Sequence, residues 1–144
     1  MIRKANEYDS KILAQMASII WDNDNVNELE EEFRENIKSD KEACFIKFID
    51  GKAVGFADVA LRYDYVEGTE TSPVGYLEGI FVEEDYRFKG FGSDLVIASQ
   101  DWAKEKGARE FASDCILENT VSIIFHKALG FEEANRIVCF RKDL

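Results

Sequence analysis

One junction constrains this chain more than any other feature. An apolar stretch, Val74-Gly75-Tyr76-Leu77-Glu78-Gly79-Ile80-Phe81-Val82, leads into Arg87-Phe88-Lys89-Gly90-Phe91-Gly92-Ser93, and an amphipathic segment follows at once. Leu95, Ala98, Ser99, Trp102 and Ala103 share one face at helical spacing, and Gly107 stands where a helix-terminating glycine belongs. Strand, two-glycine turn and helix start make a seat for a pyrophosphate. Glycines leave backbone N–H groups uncovered, and the first turn of a helix carries partial positive charge. Arg87 and Lys89 bring full charges to the same rim. The two-glycine turn is a weak signal alone, and neither the GxGxxG nor the GxxxxGK[ST] pattern is present.

The rest of the chain reads as a mixed α/β sequence without repeats, low-complexity tracts or linkers, which predicts a single domain over residues 1–144. Residues 2–5 suit a short strand, and Ile12, Leu13, Met16, Ala17 and Ile20 predict a helix over 9–21. Asn27 is a candidate cap for a second helix striped by Leu29, Phe33 and Ile37; the Glu30-Glu31-Glu32 block behind it reads as a solvated face. Asp50-Gly51 joins two apolar runs, 44–49 and 52–63, and is the strongest hairpin signal in the chain. After the Gly-rich turn come a strand over 110–115, a helix capped by Asn119 and stopped by Gly130, and a last strand over 137–142. An antiparallel sheet thus hands over to a parallel pair, flanked by helices.

Eighteen Lys and Arg against 29 Asp and Glu leave a net charge of −11, the wrong sign for a protein that grips nucleic-acid phosphates. Such a surface either steers a cationic substrate inward or simply keeps the protein in solution. Cys44, Cys115 and Cys139 form no CxxC pair, and with His126 the only histidine, a zinc site is not expected. The thiols read as buried and free. No run approaches a membrane span and no basic-plus-apolar segment opens the chain, so a cytoplasmic protein without membrane or nucleic-acid partners is expected.

Glu78 is out of place in an apolar strand: it either faces water on an edge or lines a cleft. A cleft carboxylate there can take a proton from an amine nucleophile. Asp114, following Ala112-Ser113 at the end of a strand, is the rival for that task, or else an exposed strand-end residue. Gly79 marks a bulge, or a close packing contact.

Arg87-x-x-Gly90-x-Gly92 after an apolar strand, with Asn119 and His126-Lys127-Ala128-Leu129-Gly130-Phe131 downstream, resembles the GCN5-related N-acetyltransferase (GNAT) superfamily. More narrowly, Gly55-Phe56-Ala57-Asp58, Asp64-Tyr65-Val66, Ser72-Pro73, Leu77-Glu78-Gly79-Ile80-Phe81-Val82, Ala112-Ser113-Asp114, Glu118-Asn119-Thr120 and Ala128-Leu129-Gly130-Phe131-Glu132-Glu133 resemble the aminoglycoside 6′-N-acetyltransferases, in family order.

The resemblance implies a GNAT fold: a central mixed, mostly antiparallel sheet splayed around an acetyl-CoA site. It implies that Arg87, Phe88, Lys89, Gly90, Phe91, Gly92 and Ser93 wrap the coenzyme's pyrophosphate. Ile80, Phe81 and Val82 would hold the pantetheine arm through backbone hydrogen bonds, and Asn119 would cap its helix, bond the pantetheine, or both. Trp21, Asp24, Tyr65, Glu78, Asp114 and Asn135 match positions that frame the aminoglycoside, although relatives can carry an acidic residue where this chain has Asn135. A tyrosine that protonates the departing thiolate is usual in the superfamily where this chain has His126; the histidine either takes over that work or is a satisfied structural partner. Catalytic candidates are therefore Glu78, Asp114 and His126. Expected partners are acetyl-CoA as cosubstrate with no metal, a cationic small molecule, and a second copy of the chain paired through its C-terminal strand. The alternatives are an acetyltransferase for a polyamine, a protein lysine or an N-terminus, or a noncatalytic acyl-CoA-binding module.

Overall fold

The computed structural model describes all 144 residues. Its frame is a five-stranded sheet in sequence order: β1 (Ile2–Lys4), β2 (Glu42–Ile49), β3 (Lys52–Arg62), β4 (Val74–Val82) and β5 (Phe111–Ser113). The first three pairings are antiparallel, and β4–β5 is parallel. Helices α1 (Ser10–Ile20) and α2 (Val26–Lys38) lie between β1 and β2 in the chain, α3 (Phe91–Glu105) joins β4 to β5, and α4 (Thr120–Ala128) follows β5.

Local chemistry accounts for most boundaries. Asp50 and Gly51 both take positive φ, 48° and 80°, as the tight β2–β3 turn demands. Asn25 rather than Asn27 caps α2, accepting from the Glu28 N–H. Arg3 on β1 makes a two-pronged contact with Asp9 at 2.7 and 2.8 Å, tying the first strand to the entry of α1.

Alternation divides the sheet into two faces. Cys44, Ile46 and Phe56 pack against Leu13, Ala14, Ala17, Leu29 and Phe33 of α1 and α2. Ala57 and Leu77 pack against Leu95 and Val96 of α3, and Val59 and Leu61 against Trp102 and Ala103. Each large side chain sealed in this way contributes about 1.5–3 kcal/mol of apolar transfer energy.

Two expectations need correction. Residues 137–142 form no strand, and everything after Gly130 lacks regular secondary structure. A strand exists only when its backbone groups are paired, and this apolar run pairs with neither edge of the sheet; Val138 is 77% exposed and Phe140 92%. The thiols are free, but only Cys44 is buried: Cys115 is half-buried, and Cys139 lies exposed on that unpaired tail.

The α1/α2 face also buries charge. Asp58 is 3% exposed and sits opposite Cys44 on β2, whose thiol is 3.6 Å from its Oδ1. Burial and the neighbouring Glu42 carboxyl push Asp58 well above the usual carboxylate range; Glu42 is itself raised, mainly by burial. A carboxyl with a raised folded pKa favours folding while protonated, so its contribution is complete below the unfolded value of about 4 and is lost as pH rises towards the folded one. Asp58→Asn keeps the shape and removes the proton demand. The variant should melt above the parent at mildly alkaline pH, with the gap closing as pH falls towards about 4. Equal melting temperatures at all pH values would contradict the assignment.

Candidate active site

The sheet splits along one line. β5 stays beside β4 for three rungs, Gly75–Phe111, Tyr76–Ala112 and Leu77–Ser113, and then ends, whereas β4 continues to Val82. Residues 78–82 therefore keep β3 on one side and face an opening on the other. At the apex of this fork the β3–β4 register shifts between Asp58 and Val59: Leu77 pairs with Val59 and Gly79 with Asp58, leaving Glu78 as the extra, bulged residue. The expected bulge is present, one residue before Gly79. A Cβ at Gly79 would lie 2.9 Å from the Trp21 ring, so close packing also explains the glycine.

Beyond the fork lies the start of α3. Gly90 takes φ +83°, a left-handed conformation that favours glycine, and precedes the helix as its cap. The backbone N–H groups of residues 88–93 donate to no protein acceptor, whereas that of Arg87 bonds the Glu84 carbonyl at 3.2 Å. The Arg87 Nε bonds the Val82 carbonyl at 2.9 Å, which orients the exposed guanidinium and leaves its terminal nitrogens without a protein partner. Lys89 lies over the Tyr86 ring. Lys47 on β2, which the sequence gave no reason to single out, lies beneath this turn, 4.4 Å from the Phe91 ring centroid and 3.3 Å from Asp94.

A second cluster gathers on the other side of the fork. Arg62 on β3 bonds both oxygens of Glu78, at 2.9 and 2.8 Å, with its guanidinium carbon 3.4 Å from the Tyr76 ring centroid. The Tyr76 hydroxyl donates to Asp114. Burial first and this hydrogen bond second raise the Tyr76 pKa well above a phenol's ordinary value, so the tyrosine stays a donor. The structure thus brings together Glu78 and Asp114, expected from the sequence, with Tyr76 and Arg62, which were missed. Alternation from Glu78 would have suggested Tyr76; Arg62 is recoverable only by folding the hairpin register forward.

The remaining candidates are spread more widely. Trp21 stacks on Phe33 with centroids 5.8 Å apart, forming a wall against Gly79. Asp24 and Tyr65 lie on exposed loops. The Asn135 side chain donates to Glu67 at 2.8 Å, which fixes the tail against the β3–β4 loop. No hydrogen bond joins Asp24, Tyr65 or Asn135 to Glu78 or Asp114. Asn119 caps α4 through the Ser122 N–H, and Phe125 of that helix lies 3.0 Å from the Cβ position of Gly92, so the body of α4 packs against the start of α3. His126 faces Ser113 at the apex of the fork, with 2.8 Å between Nε2 and Oγ.

The residues present suit a coenzyme A molecule: unpartnered amides where its pyrophosphate would need donors, and an open strand edge where its amide-bearing arm would need one. Comparison with known proteins agrees. The sequence profile of the Acetyltransferase (GNAT) family matches residues 13–131. An aminoglycoside N(6′)-acetyltransferase type 1 from Stenotrophomonas maltophilia is 40% identical over 144 residues, covering 99% of this chain and 93% of its own. Its counterpart from Salmonella typhimurium is 49% identical over 108 residues, 75% of this chain and 74% of its own. Among solved structures, AAC(6′)-Iy in complex with the bisubstrate analogue CoA-S-monomethyl-acetylneamine superposes with a TM-score of 0.95 at 40% identity, covering 100% of this chain and 98% of that one. AAC(6′)-Ih from Acinetobacter baumannii gives 0.93 at 35% identity, with 100% and 98% coverage. The forked sheet, the amide-lined turn and these relatives together establish that the chain belongs to the GNAT family of acetyltransferases.

Proposed function

We propose that this acetyltransferase moves the acetyl group of acetyl-CoA onto the 6′-amine of aminoglycoside antibiotics, by direct attack within a ternary complex, and so confers resistance. One observation carries the reading: a single fork separates an amide-lined turn suited to a diphosphate from a carboxylate cluster suited to an amine. Aminoglycosides are polycations, and the net charge of −11 adds a favourable long-range field. The relatives named above, including one solved with a bisubstrate analogue, supply the substrate class.

Acetyl-CoA supplies an activated acyl thioester, and the protein's residues do the rest. The amides of residues 88–93, with Lys89 and the α3 dipole, anchor the pyrophosphate; the β4 edge at Ile80–Val82 and the Asn119 side chain orient the arm. The bulge at Glu78 frees backbone at the point where a donor would polarise the thioester carbonyl. Glu78 and Asp114 bind substrate ammonium groups, flanked by Trp21, Asp24, Tyr65 and Asn135. Arg62 occupies both Glu78 oxygens, whereas Asp114 has one oxygen on Tyr76 and the other without a protein partner. Asp114 is therefore the better placed to take the amine's proton, directly or through water.

The same reading makes the chain a single cytoplasmic domain that works as a homodimer. Ile137-Val138-Cys139-Phe140 is an apolar strand sequence with no partner in its own chain, and Val121 and Ile124 of α4 add exposed apolar surface. No helix is long and apolar enough to cross a membrane.

Three outcomes are expected. Incubated with acetyl-CoA, kanamycin should gain one acetyl group, located at the 6′-nitrogen by NMR, while spermidine and a lysine peptide remain unmodified; acetylation of spermidine alone would overturn the substrate. Gly90→Val forces a β-branched residue to a φ of +83° and should cost coenzyme A at least tenfold in affinity by calorimetry, about 1.4 kcal/mol, whereas unchanged affinity would mean that the pyrophosphate binds elsewhere. In sedimentation, the full chain should run as a dimer and a version lacking residues 137–144 as a monomer; a monomeric full chain would exclude the pairing.

A further inference from the structure

Ser113 is the last β5 residue paired with β4, opposite Leu77, so it stands where the strands part. Its Oγ lies 2.8 Å from His126 Nε2 and only loosely, at 3.4 Å, from the Leu77 carbonyl. The other ring nitrogen, Nδ1, is 2.7 Å from the Ser122 carbonyl oxygen, one turn back on α4. A carbonyl only accepts, and it is far closer to Nδ1 than the Ser122 hydroxyl at 3.3 Å, so Nδ1 carries a hydrogen, and in the neutral ring the free lone pair lies on Nε2, facing Ser113. The ring has little freedom to turn: Phe125 and Phe131 close on it edge-to-face, with centroids 5.9 and 5.1 Å away. His126 therefore gains and loses its proton at one nitrogen, and that nitrogen is covered by a serine hydroxyl.

Leu77 and Ser113 mark the sheet face that packs on α3, the coenzyme side of the fork, whereas Tyr76 and Asp114 meet on the amine side. The two sides thus have separate proton groups. A charged His126 donates Nε2–H to Ser113 Oγ, which leaves the serine's own hydrogen free to point into the fork.

We propose that Ser113 delivers the proton to the departing coenzyme A thiolate, with His126 behind it as the proton store; this rests on the reading that the thioester lies at the apex of the fork. In the step, an S–H bond forms to the Ser113 hydrogen as Ser113 Oγ takes the Nε2 hydrogen of the imidazolium. Ser113 ends as a hydroxyl and His126 as the neutral ring protonated at Nδ1. Solvent returns one proton to His126, balancing the one lost by the substrate ammonium. His126 is then neither a direct acid nor an idle structural partner: it acts through a residue that sequence alone did not single out.

The test uses the full-length enzyme and four variants, S113A, S113T, H126Q and S113A/H126Q. Single-turnover acetyl transfer to saturating kanamycin should slow by roughly tenfold to a hundredfold in S113A and H126Q, the low end of general-acid effects because the thiolate is a fair leaving group. The double variant should be no slower than the slower single one, as for two groups acting in series, and S113T should keep most of the rate. A solvent deuterium isotope effect present in the wild type should vanish in S113A, while calorimetric affinity for coenzyme A stays within about twofold throughout, a change of about 0.4 kcal/mol or less. Independently of turnover, ¹⁵N NMR of the ligand-free protein, recorded at a pH high enough to neutralise the ring, should show that the neutral form of His126 carries its hydrogen on Nδ1. A full rate in S113A, additive losses in the double variant, an Nε2–H tautomer, or an acetyl group found on Ser113 by mass spectrometry would each overturn the relay. If instead coenzyme A leaves the amide signals of Phe88–Ser93 unmoved, it is the placement of the thioester that fails.

Discussion

The site depends on β5 stopping at Ser113 while β4 runs on to Val82. Unpaired strand edges are usually hidden or blunted, because their N–H and C=O groups seek partners. Here the edge is kept open, and the start of α3 is set beyond it with a second row of unpaired N–H groups. Both rows suit one elongated ligand that carries amides at one end and a diphosphate at the other. The bulge at Glu78 follows from the same geometry, since it lets β4 leave β5 without losing its ladder to β3.

The fork also separates charges. On the amine side, Glu78 and Asp114 face one cation, Arg62, while Glu42 and Asp58 lie together without a cation bonded to either, and burial keeps both more readily protonated than usual. Arg62 binds Glu78 and lies over Tyr76, which in turn donates to Asp114, so a single guanidinium orders Glu78, Tyr76 and Asp114. On the coenzyme side the groups are backbone amides, Lys89, and the Ser113–His126 pair. In the proposed reaction, proton removal from the amine and proton delivery to the thiolate would fall on opposite faces of the sheet.

Much of this is legible in the amino-acid sequence. The Asp50-Gly51 turn, the helix stops at Gly107 and Gly130, the Asn119 cap and the strand over 74–82 each rest on local rules about φ or hydrogen-bond satisfaction, and each is where those rules put it. The parallel β4–β5 pair followed from a strand, helix, strand order. What local rules cannot supply is partnership at long range. Residues 137–142 have strand composition but pair with neither edge of the sheet. Arg62 lies 16 positions from Glu78, and only the hairpin register reveals that they meet. Ser113 was visible as part of an Ala-Ser-Asp run, yet its bond to His126 depends on α4 folding back over the fork. Arg87 was legible as a charge at the turn, but not the bond from its Nε to the Val82 carbonyl that orients its guanidinium.

The most direct measurement is an amide ¹H–¹⁵N spectrum recorded as coenzyme A is added to the ligand-free protein. The largest shifts should fall on two separate stretches, residues 79–82 of β4 and 88–93 at the start of α3, with smaller ones at Asn119 and Ser113. Shifts concentrated elsewhere, with both stretches unmoved, would mean that the fork is not where the coenzyme binds.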